Sequence, residues 1–191
     1  MDQLMLNLRS WPQAVLHIDG DAFFTSCEEA IHPELRGKPL ITGGERGIVA
    51  CASYAAKALG IRRGVSLHEA KKICPGLIVL PSDYETYSLF SRRMYNIVRR
   101  FTPQVEEYSI DEAFADLTGL RRSFRASYET IAMNIKREVE RELGITVSAG
   151  LSLSKVLAKV ASKHRKPAGF TPIPGRRIPE YIRELPVEKL W

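Results

Sequence analysis

The run from Tyr108 to Leu117 (Tyr-Ser-Ile-Asp-Glu-Ala-Phe-Ala-Asp-Leu) places acids inside a segment whose flanks favour β-strand. Side chains alternate between the two faces of a strand. Read as one strand, Ile110, Glu112, Phe114 and Asp116 share a face, and Asp111, Ala113, Ala115 and Leu117 share the other. Whichever face meets a core, at least one carboxylate lies among apolar groups. Such an acid must protonate, find a partner or bind a cation. Two readings of this stretch stay open. One is a hairpin whose turn at Asp111-Glu112 leaves both acids in water. The other is a divalent metal site at a bend between two strands.

A second acidic pair lies near the start of the chain. The apolar run Ala14-Val15-Leu16-His17-Ile18 reads as a buried strand and ends in Asp19-Gly20-Asp21. Thr25 is placed to cap a helix that Pro33 stops. Residues 39–42 and 47–51 read as a hairpin around Gly43-Gly44, and residues 54–59 as a short helix ended by Gly60. Ser66 and Glu69 form a capping box for another helix, and residues 77–80 read as a strand. Asp83 caps a long amphipathic helix whose apolar side carries Tyr84, Tyr87, Met94, Ile97, Val98 and Phe101. Strands over 104–110 and 113–118 follow. Ser127 caps a second long helix with Ile131, Ile135, Val139 and Leu143 at helical spacing. A strand over 145–151, a basic helix over 153–164, a turn at Lys166-Pro167-Ala168-Gly169 and a short helix over 178–185 complete the order.

With residues 23–82 set aside, the order is strand, helix, strand, strand, helix, strand. That is the βαββαβ, or ferredoxin-like, split βαβ arrangement of the α+β class, with a small α/β lobe inserted after the first strand. Its first and third strands lie side by side and antiparallel. Two acidic pairs then fall at strand ends of one small sheet, where like charges repel unless a cation joins them. Hard oxygen donors of this kind suit Mg²⁺.

The composition is that of an ordinary soluble protein, 45% hydrophobic and 26% charged. No apolar run is long enough to span a membrane, and residues 1–12 carry no secretion signal. The cysteines, Cys27, Cys51 and Cys74, fit neither a disulfide framework nor a zinc site, so a reducing cytoplasmic setting is expected. Residues 155–191 hold nine basic and three acidic side chains, which accounts for the whole net charge of +6. A polyanion partner or a merely solvated face would both produce that bias. The final Leu190-Trp191 reads as an exposed end and as a cut in a longer chain.

Three segments taken together resemble the Y-family of translesion DNA polymerases, most closely its bacterial polymerase IV-like branch. They are Leu16–Phe24, Tyr108–Phe114 and Gly150–Lys159 continuing to Lys166-Pro167-Ala168-Gly169. The resemblance implies a palm made of residues 1–22 and 83–171, fingers made of residues 23–82, and the beginning of a truncated thumb at 172–191. It implies that Asp19, Asp111 and Glu112 hold two Mg²⁺ ions, one of them also met by the Gly20 carbonyl. Ala22, Phe23, Phe24, Cys51, Tyr54, Lys57 and Lys155 would meet the incoming nucleotide. Among them Phe24 is the steric gate against a 2′-hydroxyl, and Lys155 reaches the terminal phosphates. Lys159, Lys163 and Lys166, with Arg165, are candidates for DNA-backbone contacts.

The implied activity is template-directed addition of dNMP to a primer 3′-hydroxyl with release of pyrophosphate, in DNA damage tolerance and repair. Primer–template DNA and dNTP are the implied partners, with a sliding clamp reached through parts beyond this chain. The fragment is expected to be monomeric and nearly inactive by itself. A weakened accessory paralogue and a Mg²⁺-dependent nucleotide cyclase are the alternatives. Gly20, Ala22 and Lys57 depart from the usual family residues. Gly20 and Ala22 are small enough to loosen packing, and Lys57 supplies a point charge in place of arginine's planar fork. Asp21 reads as supporting or solvated, His17 as structural, and Ser109 as a hydrogen-bond partner of Asp111.

Overall fold

The computed structural model describes residues 11–189. The expected Leu190-Trp191 end and most of the N-terminal segment lie outside them. The strands are β1 (Val15–Gly20), β2 (Leu40–Thr42), β3 (Cys51–Ala52), β4 (Ile78–Leu80), β5 (Val105–Ser109), β6 (Glu112–Asp116), β7 (Val147–Ser152) and β8 (Phe170–Pro172). The helices are α1 (Phe23–Ile31), α2 (Tyr54–Ala58), α3 (Leu67–Ile73), α4 (Tyr84–Arg99), α5 (Arg121–Phe124), α6 (Tyr128–Leu143), α7 (Lys155–His164) and α8 (Ile178–Glu184).

The chain forms two compact units. Among the described residues the first comprises 11–21, Arg93–Glu142 and 146–189. Its sheet has the order β5-β6-β1-β7-β8. Set aside β8, and this is the strand order of a βαββαβ fold, with β1 and β6 central and antiparallel as the sequence order requires. The edge strand β8 pairs parallel with β7 and was not foreseen, because its three residues end in Pro172. Proline lacks the donor that an interior strand needs, but an edge tolerates it.

The central strands are buried on both faces. Leu16 and Ile18 fill one side; His17 and Asp19, also buried, occupy the other. The α7 helix covers the His17 side, where His17 Nδ1 meets Ser162 Oγ at 2.8 Å. Gly150, opposite His17 on β7, allows that approach. A Cβ built on Gly150 would stand 2.1 Å from the Ala158 carbonyl oxygen and 2.4 Å from the Ser162 nitrogen. Ser154 caps α7 by accepting from the Leu157 amide, and Ser127 does the same for α6 through Thr130.

The second unit comprises Ala22–Arg92 with Leu143–Ile145. It has a three-stranded sheet, β3-β2-β4, over a core of Ile41, Val49, Ala52, Ala56, Ile61, Ala70 and Leu77. Ser53, Ser66 and Asp83 accept hydrogen bonds from the amides of Ala56, Glu69 and Thr86, which fixes the starts of α2, α3 and α4. Thr25 is not the cap expected of it. The α1 helix already begins at Phe23, with Ala22 left-handed at φ 46°, and the Thr25 hydroxyl donates back to the Ala22 carbonyl at 2.9 Å. A non-glycine residue in this region is strained.

Gly150→Ala is expected to destabilise the chain by about 3 kcal/mol through overpacking of α7 on β7. An unchanged urea midpoint would show that the helix can withdraw without cost.

Candidate active site

In the first unit the hairpin between β5 and β6 turns at Ile110 and Asp111, so Glu112 is the first residue of β6 and not a turn residue. Pairing in register sets Asp19 of β1 directly across from Glu112. The Asp111 carbonyl accepts from the Gly20 amide at 2.8 Å, which ties the turn to the end of β1. Ser109 Oγ donates to Asp111 Oδ1 at 2.8 Å, as the sequence suggested. The hydroxyl of Tyr95 on α4 also donates to the Ser109 carbonyl. Asp19, Asp111 and Glu112 are thus gathered at one end of the central strands by backbone pairing.

Asp21 is fully buried, which excludes the solvated alternative. Its carboxylate accepts from Ser148 Oγ at 2.8 and 3.0 Å and from the Ala168 amide at 2.7 Å. It therefore fastens the 166–169 turn to the sheet.

Two lysines neutralise the acids. Lys166 Nζ lies 2.5 Å from Asp19 Oδ1 and 3.6 Å from Asp21 Oδ1. Lys159 Nζ lies 2.6 Å from Glu112 Oε2 and 4.2 Å from the Tyr108 ring centroid. His17 Nε2 stands 3.2 Å from the same Glu112 oxygen. Lys159 was expected on a DNA-facing surface, but it is buried beneath the sheet's acidic end. It lies on the buried stretch of α7 with Ala158, Val160, Ala161 and Ser162, where sequence reading had placed it either against DNA or in solvent. Lys166 is likewise held by acids, whereas Lys163 and Arg165 are exposed. Lys155 pairs with Glu106 on β5, both half exposed, and not with any of the three acids. The sequence carried no sign that Lys159 and Lys166 partner Glu112 and Asp19.

These surroundings push the two facing acids in opposite directions. Burial drives the Asp19 carboxyl above its ordinary range; Lys166 opposes this, while the charges of Glu112 and Asp111 add to it. The hydrogen bond with His17, aided by Lys159, holds Glu112 down at about 2. Among the described residues no three His, Cys, Asp or Glu side chains are grouped so as to grip a metal ion. The donor chemistry nevertheless fits a hard divalent cation. Three carboxylates share one strand end, and ammonium groups occupy oxygens that a cation would take.

In the second unit Phe24 stacks on Tyr87, with ring centroids 4.5 Å apart and planes 11° apart, and meets Tyr84 edge-on at 5.6 Å. Tyr87 donates to Glu28 Oε1 at 2.6 Å, with both residues buried. Burial and this bond to Glu28 push the Tyr87 phenol up, so it stays a donor. Sequence reading took Tyr84 and Tyr87 as plain apolar-face residues and missed this brace behind Phe24. Phe23 is buried, and Cys51 Sγ lies 3.8 Å from Thr25 Oγ1. Lys57 Nζ sits 4.4 Å from the Tyr54 ring centroid, so those two side chains do come together.

The profile of the impB/mucB/samB family matches residues 18–163, a span that holds both acidic strand ends. The chain belongs to that family. It is 44% identical over 179 residues to DNA polymerase IV of Desulfatibacillum aliphaticivorans, covering 93% of this chain and 45% of that protein. It is 43% identical to DNA polymerase IV of Bacteroides fragilis, covering 93% and 49%. The crystal structure of DinB from Sulfolobus solfataricus superposes with a TM-score of 0.86 at 32% identity, over 93% of this chain and 53% of that one. An insertion ternary complex of Dbh DNA polymerase superposes at 0.85 and 31%, over 93% and 53%. The family and fold read from the motifs therefore stand. The chain spans about half the length of these relatives. Among the described residues of this family member, no helix is long and apolar enough to cross a membrane.

Opposite stability effects are expected at the facing acids of the metal-free chain. Glu112 titrates below its ordinary 4.5 in the fold, so its ionised form stabilises the chain above that pH, and the contribution is lost as pH falls towards 2. Glu112→Gln should therefore lower stability at pH 7 by about 2 kcal/mol. Asp19→Asn should raise stability, because burial opposes the charge there. Urea midpoints that move in the same direction would contradict this account.

Proposed function

We propose that this chain is the catalytic part of a template-directed DNA polymerase. It adds dNMP to a primer 3′-hydroxyl, releases pyrophosphate and works on damaged templates. The observation that carries the reading is the in-register pairing of Asp19 with Glu112, with Asp111 bonded through its carbonyl to Gly20. In this reading residues 1–22 and 83–171 are the palm and residues 23–82 the fingers. Residues from about 172 begin a thumb.

Asp19, Asp111 and Glu112, with the Gly20 carbonyl, would hold two Mg²⁺ ions. When bound, such ions acidify the attacking hydroxyl and offset charge on the transferred and leaving phosphates. The chain's own residues do the rest. Glu112, kept ionised by His17 and Lys159, is ready as a ligand at any physiological pH. Lys166 neutralises Asp19 in this structure, and it would meet the nucleotide's phosphates if that carboxylate held a cation. The resemblance implied this role for Lys155, which in this structure pairs with Glu106. Tyr54 and Lys57 bind the triphosphate as hydrogen-bond donor and point charge, joined there by the α1 entry at Ala22 and Phe23 and by Cys51. Phe24 excludes a 2′-hydroxyl, and its stack on Tyr87 supports a fixed ring position. Lys163 remains available for the DNA backbone. Tested alone, these 191 residues are expected to extend primers poorly, as the chain spans about half the length of its relatives. In the cell such an enzyme would act in the cytoplasm and could meet a sliding clamp.

In a full-length polymerase carrying this segment, Asp111→Ala should abolish primer extension with Mg²⁺, a loss of at least about a thousandfold. Extension must also require a template, because a nucleotide cyclase on the same kind of sheet would consume NTP without one. Retained extension in Asp111→Ala would refute the assignment.

A further inference from the structure

At the end of the sheet away from the acids lies a basic surface that the proposed chemistry does not use. β6 runs from Glu112 at the acidic end to Asp116, roughly 13 Å along the strand at about 3.3 Å per residue. The chain then turns through 117–120 beside the start of β1, where the Leu117 amide donates to the Ala14 carbonyl. It next forms the short α5 helix, which Arg125 ends in the left-handed conformation at φ 48°. This turn puts Arg121, Arg122 and Arg125 around an open groove of about 770 Å³, with Tyr128 as its floor. All three arginines are exposed, and among the described residues none pairs with a carboxylate. The Arg121 guanidinium lies 5.6 Å from the Tyr128 ring centroid. From the same helix Phe124 stacks on Phe101, centroids 5.8 Å apart and planes 15° apart, yet stays 39% exposed.

We infer that α5 and its flanking loop form a second contact for single-stranded nucleic acid, separate from the catalytic end. Unpaired guanidiniums supply planar forks for phosphate oxygens, and an exposed stacked aromatic supplies a platform for a base. An acidic protein segment would satisfy the arginines and leave Phe124 without purpose. The inference does not depend on the polymerase reading.

The test is anisotropy of a labelled oligo(dT) with the 191-residue chain over a salt series. The triple change Arg121→Ala, Arg122→Ala, Arg125→Ala should weaken binding at least tenfold and make the log–log salt slope shallower by about 2, at roughly 0.7 per single-strand phosphate. Phe124→Ala should weaken binding about tenfold with the slope unchanged. Changing all three arginines to lysine should keep the slope and lose part of the affinity. The three arginines are exposed, so thermal melts of their variants should match the parent; Phe124 packs on Phe101, so binding by Phe124→Ala is read well below its own melting temperature. Run in EDTA, the same triple change should give the same loss, which separates this surface from any binding that needs a metal at the acids. Unchanged affinity and slope in the triple variant would overturn the inference. So would poly-glutamate competing as well as oligo(dT), with Phe124→Ala binding normally, since the surface would then take an acidic protein.

Discussion

The first unit depends on neutralising carboxylates that its own backbone forces together. Antiparallel pairing of β1 with β6 sets Asp19 opposite Glu112, and neither has enough water to carry its charge unaided. The α7 helix and the turn after it answer this by bringing Lys159 to one acid and Lys166 to the other. Packing and electrostatics are therefore one problem. The close approach at Gly150 lets α7 sit low enough for Lys159 to reach beneath the sheet. Asp21, through Ser148 and Ala168, keeps the 166–169 turn within reach of Asp19.

The two facing acids are not equivalent, and the difference has a physical origin. Glu112 is surrounded by donors and is held ionised. Asp19 has one flexible ammonium partner and more burial than that partner offsets. A buried charge that is imperfectly paired costs stability, and such cost collects where a fold is built to receive something else. The backbone that carries these carboxylates is fixed by strand pairing, while Lys159 and Lys166 hold their oxygens.

Much of the fold was legible because its signals are local. The caps at Ser66, Asp83 and Ser127 each declared a helix start, and the order of long helices and strands gave the sheet topology. The three acids were legible because acids at strand ends contradict the apolar pattern around them. What stayed hidden was long-range. Nothing near Lys159 in sequence says that it lies under Glu112, 47 positions away, and helical spacing alone assigns a lysine to solvent. Lys166 and Asp19 are 147 positions apart. The start of α1 was misjudged because Thr25 has capping chemistry, while the real cap, Ala22, has none and works only through its strained backbone. Edge strand β8 escaped because three residues ending in proline carry no alternation to read.

The Tyr87–Glu28 hydrogen bond has a consequence for how sequences of this kind can drift. Glu28 is 7% exposed, and Tyr87 is fully enclosed. Phenylalanine at 87 would keep the ring but strand an acid in the interior, and an apolar residue at 28 would strand a hydroxyl. Neither step is tolerable alone, while the two together are nearly neutral. Positions 28 and 87 are thus energetically coupled, and the ring of Phe24, stacked on Tyr87, is held by that pair without a polar contact of its own.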